Sequence, residues 1–161
     1  MPPMIPLGWF HTATAVFALL CAFYTLHRNK EILLTNRSGQ LYVLATLVTA
    51  VTALMIFQRG TFGPGHALAI LTLAALAVGT IAATTRLFGR FSRYLQAISF
   101  SATLLFHMIP AITDGLMRLP LGNPVVSSIE SPLLKGFYAV FLLIYVVGIG
   151  LQIRHISKSA G

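Results

Sequence analysis

Long apolar runs alternate along the chain with short clusters of basic and turn-forming residues. A helix needs about 20 apolar residues to cross a bilayer. Five runs reach that length: 7–28, 39–58, 64–86, 94–116 and 134–153. The pattern predicts an all-α fold, a single transmembrane domain over residues 1–161, arranged as two tandem helical hairpins plus one helix. The largest segment between spans is the Pro-rich stretch from Pro120 to Pro132.

Composition agrees. Hydrophobic residues make up 57% of the chain and charged residues only 9%, which excludes a soluble domain and points to an integral membrane protein. The first run does not read as a cleavable signal peptide. Such peptides begin with a basic region and a short apolar core, whereas the first basic residue here is Arg28, after a full-length span.

The basic residues set the expected orientation. With the N-terminus outside, the cytoplasmic side carries Arg28, Lys30, Arg37, Arg86, Arg90, Arg93, Arg154 and Lys158, and the outer side carries Arg59, Arg118 and Lys135. The expectation is therefore N-out, C-in. The net charge of +8 is this positive-inside excess, with juxtamembrane residues such as Arg86, Arg90 and Arg93 meeting anionic head groups. It does not indicate nucleic acid. The single cysteine, Cys21, excludes an intrachain disulfide and reads as an inert thiol in an apolar span.

A tandem repeat is visible in the spacing. Gly8 and Gly63 each stand three residues before a histidine, His11 and His66, which lie 55 residues apart. Both spans end at arginine, Arg28 and Arg86. The next spans begin Arg37-x-x-Gln40 and Arg93-x-x-Gln96. Two hairpins that both start outside would be related by an axis along the membrane normal, with the two imidazoles at equal depth. The third run is rich in small residues, including Ala69, Gly79 and Ala82. Small residues let helices approach closely in lipid, so this run is the expected central helix. The threonines of the second run, Thr46, Thr49 and Thr52, are expected to bond back to their own helix.

Titratable side chains in a bilayer are costly and tend to mark function. His11 lies one turn inside the first span. His66 opens the third, just after Pro64. His107 lies deeper in the fourth, with Thr103 and Asp114 on its face and Pro110 between. These residues suggest an outer-side site. Neutral imidazole ligates zinc, copper and iron, and two facing imidazoles can clamp haem b. The candidate cofactor ligands are His11, His66 and His107, with Asp114 as a further metal ligand. The structural alternative is interfacial hydration of His11 and His66, a Thr or carbonyl partner for His107, and an Asp114–Arg118 pair one turn apart.

A second polar set comprises Tyr24, His27, Arg28, Gln152, Arg154 and His155. It reads as interfacial anchors, although Tyr145, Gly148 and Gln152 on one helix face would also suit a flat headgroup such as a quinone. The chain has no Walker loop, dinucleotide glycine fingerprint or His-Glu-x-x-His. Its only acids are Glu31, Asp114 and Glu130, too few for a proton-coupled pump.

The phrases Phe62-Gly63-Pro64-Gly65-His66-Ala67-Leu68-Ala69-Ile70, Asn36-Arg37-Ser38-Gly39-Gln40-Leu41-Tyr42-Val43 and Leu26-His27-Arg28 resemble a bacterial family of multi-helix membrane proteins of unknown function. The resemblance spans residues 5 to 118 and implies a multi-pass protein of the bacterial inner membrane, with no activity to transfer. Two functions are expected. One is a small electron-transfer protein holding haem b or a transition metal (Cu, Fe or Zn). The other is a cofactor-free accessory subunit of a larger membrane complex or homo-oligomer. A transporter is third, since no polar path is evident between the outer histidines and the Tyr24–Gln152 set.

Overall fold

The computed structural model describes residues 5–57, 61–85 and 87–159. Arg59, Arg86 and the expected end of the second span at Gln58 lie outside the described residues. The fold is all-α with five helices long and apolar enough to cross a membrane: α1 (Pro6–Asn29), α2 (Arg37–Met55), α3 (Pro64–Thr84), α4 (Ser92–Arg118) and α5 (Pro132–Ser159). A single 3₁₀ turn, Gly89–Phe91, leads into α4.

Local chemistry explains the boundaries. Pro6 and Pro64 occupy first-turn positions, where the missing N–H costs nothing. Helix α1 stops at Lys30, whose left-handed backbone (φ 63°) turns its N–H onto the Leu26 carbonyl. The turn that follows runs inward, burying Glu31 and Ile32. Helix α2 then starts against it. A Cβ on Gly39 would lie 2.0 Å from the Leu33 carbonyl oxygen, so only glycine admits this approach. Helix α5 runs six residues past its expected end at Ile153. Nothing in Arg154–Ser159 breaks a helix, and Ile156 packs into the bundle while Ser157 meets the Tyr94 hydroxyl at 3.2 Å.

The helices pack as two hairpins, α1 with α2 and α3 with α4. They join mainly through α2 and α3, with a thinner contact between α1 and α4. Helix α5 lies against α4. The helix touching most neighbours is α4, not α3. Only one side of α3 is buried, through Ala69, Thr72, Leu76, Gly79 and Ala82, while Ile70, Leu71, Val78 and Ile81 are exposed. The core cluster joins Ala18, Ala22, Ile32, Tyr42, Ala45, Leu76 and Phe100. The small side chains of α1 bring α2 close, and Gly79 seats the Phe100 ring, where a Cβ would lie 2.5 Å from it. The other small residues do less: Gly148 and Gly150 of α5 face open space.

Burial repeats with a period of its own. Ala18, Ala22 and Thr25 of α1 correspond to Thr72, Leu76 and Gly79 of α3, each 54 residues later. Tyr42, Ala45, Thr46 and Thr49 of α2 correspond likewise to Gln96, Ser99, Phe100 and Thr103 of α4. The histidines are 55 apart. One residue of mismatch is about 100° of rotation at 3.6 residues per turn, so His11 and His66 occupy different faces of their helices.

Candidate functional site

Each histidine of the expected cluster has its own setting. The His11 ring nitrogen Nδ1 lies 3.0 Å from Thr52 Oγ1. The Thr52 hydroxyl proton is committed to the Val48 and Thr49 carbonyls, at 2.9 and 3.0 Å. Thr52 therefore accepts, His11 donates from Nδ1, and the Nε2 lone pair is left open. This is how a metal-ligating histidine is held.

His66 is set the other way. Its Nδ1 accepts the Gly63 N–H at 3.2 Å, closing the first turn of α3. The proton of the neutral ring therefore sits on Nε2. That Nε2–H is buried and has no hydrogen-bond partner among the described residues, in a residue only 6% exposed. A proton-bearing nitrogen is a donor, not a ligand. The ring lies between Phe57 and Phe62, with centroids 4.5 and 5.1 Å away.

His107 is buried, with Nε2 3.2 Å from Thr46 Oγ1. Beside it the Tyr42 hydroxyl sits 2.6 Å from Thr103 Oγ1. Thr103 spends its proton on the Phe100 carbonyl at 2.7 Å, so Tyr42 is the donor. Thr46 and Thr52 are six residues apart, about 9 Å along α2. His11 and His107 thus meet different threonines of α2, on faces about 120° apart at 3.6 residues per turn and at two depths. Asp114 is half-exposed and pairs with Arg118 at 3.6 Å, although it shares a nominal face with buried His107.

A haem clamp needs two imidazoles presenting Nε2 lone pairs, and a metal site needs several converging ligands. His11, with Nδ1 donating to Thr52, is set as a ligand. Among the described residues, no three His, Cys, Asp or Glu side chains group as a metal site. In this structure His11, His66 and His107 are each held by a separate hydrogen bond, to Thr52, Gly63 and Thr46. What they present is one unsatisfied donor, the His66 Nε2–H. The α2 threonines do bond back to their helix, as Thr49 does to Ala45 at 2.8 Å, but Thr46 and Thr52 also receive a histidine each. Together with Tyr42 and Thr103 they make the bundle interior more polar than the sequence suggested.

Sequence reasoning missed a site at the opposite end of the bundle. Glu31, 1% exposed, accepts both Nε and Nη2 of Arg93, with Nε at 3.2 Å. Gln96 donates to the Ile32 carbonyl at 2.8 Å. These contacts tie the α1–α2 turn to the start of α4 across more than 60 residues. The available signal was a lone acid among basics at that end. In the expected anchor set, Arg28 reaches the Tyr24 hydroxyl at 3.3 Å. Gln152 instead exchanges hydrogen bonds with Ser101 at 3.1 and 3.2 Å, and Tyr145 donates to the Ile98 carbonyl at 3.4 Å. Tyr145 and Gln152, on the face suited by sequence to a flat headgroup, are thus spent on holding α5 to α4.

No family model, curated protein or solved structure matches the chain.

Proposed function

We propose that this multi-pass membrane protein binds the headgroup of a quinone at the start of α3. The observation that carries the reading is the buried, unpartnered Nε2–H of His66. A buried donor left unmade costs about 1–3 kcal/mol, and a carbonyl acceptor removes that cost. A quinone offers a carbonyl on a flat, lipid-soluble ring. The neighbouring Phe57 and Phe62 are both more than half exposed, giving an aromatic edge for such a ring to pack on. Redox chemistry would then belong to a larger membrane complex in which this chain holds the quinone. This joins electron transfer to the accessory role, in a bacterial inner membrane with the histidine end outside.

The test is titration of detergent-solubilised protein with a short-chain ubiquinone or menaquinone analogue. Trp9, the single tryptophan, lies at the same end and reports by fluorescence quenching, with calorimetry as a second readout. His66→Ala is expected to weaken binding about tenfold, the equivalent of one buried hydrogen bond. Phe62→Ala weakens it less, and His66→Gln, which keeps a donor, restores part of it. Equal affinity in wild type and His66→Ala would sink the proposal. An optical spectrum of the same sample, oxidised and reduced, with metal analysis, tests haem or metal at His11.

A further inference from the structure

The basic end of the bundle contains a recess of about 380 Å³. Its walls are Leu33, Ala82 and Ala83, and its polar lining is Thr85, Ser92, Arg93 and Gln96. Most polar groups around it are accounted for. Gln96 donates to Ile32, Thr85 donates to the Ile81 carbonyl at 2.7 Å, and Arg93 commits Nε and Nη2 to Glu31. Two donors remain. The Ser92 Oγ is buried and has no partner among the described residues. Arg93 keeps Nη1, and its side chain is 41% exposed even though the carboxylate it holds is 2% exposed.

The ion pair fixes the guanidinium in place. Glu31 lies behind it, buried, and takes one edge of the fork. The other edge is preorganised, which lowers the entropic cost of binding an anion there. Arg93 and Ser92 also open the first turn of α4, whose N-cap position, Phe91, supplies no side-chain cap. Among the described residues Arg28, Lys30, Arg37, Arg90, Arg154 and Lys158 stand at this same end, so the wider field is positive and Glu31 is its only acid.

We propose that this recess binds a phosphate group, held by Arg93 Nη1 and Ser92 Oγ. The phosphate belongs to an anionic phospholipid or is free inorganic phosphate. The apolar walls, Leu33, Ala82 and Ala83, would take the start of a lipid's acyl chain. This proposal is independent of the quinone reading, which concerns the other end of the bundle.

The experiment uses the full chain in non-ionic detergent. In one arm it is equilibrated with phosphatidylglycerol, and the lipid adduct is counted by native mass spectrometry. In the other it is given inorganic phosphate against chloride at matched ionic strength, and the thermal midpoint is followed. Two variants accompany wild type: Ala83→Leu, which fills the recess without touching the ion pair, and Ser92→Ala, which removes one donor. If lipid is the source, the adduct forms on wild type and its occupancy falls about tenfold in Ala83→Leu and several-fold in Ser92→Ala. If free phosphate is the source, the midpoint rises with phosphate in wild type and not in the variants. Adducts of equal occupancy in all three proteins, or neither signal in wild type, overturn the proposal. Ser92→Ala decides the matter should Ala83→Leu fail to fold.

Discussion

The two ends of this bundle use polar residues in opposite ways. At the histidine end, polar side chains find modest partners on the neighbouring helix, His11 with Thr52 and His107 with Thr46, and one donor stays unmet. At the basic end, one buried carboxylate meets one forked cation, and the contact spans from the first hairpin to the second. Deleting one partner of a buried neutral hydrogen bond costs about 1–3 kcal/mol. Breaking a buried ion pair by deleting one partner costs about 3–5 kcal/mol. The histidines stand out in the sequence, but this difference makes the Glu31–Arg93 pair the stronger clasp and leaves the histidine end freer to bind.

That contrast can be broken by mutation. The largest expected effect is Arg93→Ala, which strands the Glu31 carboxylate and should cost about 3 kcal/mol in a detergent unfolding titration. Glu31→Gln leaves only a half-exposed cation and should cost clearly less. If Arg93→Ala costs no more than a histidine variant, the basic end is not the clasp. Next is Gly79→Ala between the two ends. The new Cβ would meet the fully buried Phe100 ring, so about 1–3 kcal/mol of overpacking is expected. A neutral result would mean that the ring can shift. Tyr42→Phe removes the donor to Thr103 and should lose about 1 kcal/mol, read as a lower thermal midpoint.

Smaller still is the coupling in a His11/Thr52 double-mutant cycle, expected near 0.6 kcal/mol. A coupling several times larger would make the histidine end a clasp too. The smallest effect belongs to Lys135→Ala. The Lys135 ammonium, 2.6 Å from Glu130, holds that carboxyl below the usual range. Its contribution is present above the ordinary glutamate pKa of about 4.3 and fades as pH falls through the lowered value. Both groups are largely exposed, so the midpoint should move by less than about 1 °C at pH 7. Below that lowered value variant and wild type should coincide.

The helices were legible because lipid imposes a simple rule: every spanning segment must be long, apolar and internally hydrogen-bonded. Length and charge located all five spans, and the hairpin arrangement was read from the tandem repeat. The faces were harder to read. The matched glycines and histidines pointed to a repeat of 55, while buried positions repeat at 54, and that single residue separates the surroundings of His11 and His66. Partner choice was least legible. Nothing near Glu31 in the chain points to Arg93, 62 residues on, because that pairing depends on how the hairpins dock. The state of His66 was hidden for a different reason. Which of its nitrogens carries the proton is decided by the Gly63 amide, a backbone contact that exists only once α3 begins at Pro64.

The placement of α5 bears on how the molecule is put together in time. Synthesis delivers α1 through α4 first, and α5, which packs on α4, is delivered last. The fifth helix packs on α4 and is joined to it through residues 119–131, most of them exposed. It also exceeds the membrane: 28 residues make a rod of about 42 Å against a hydrocarbon layer of about 30 Å. The four-helix unit thus serves as a template on which a final, separable stave is laid. An interruption of the chain in that connection would leave two pieces with complementary surfaces already formed.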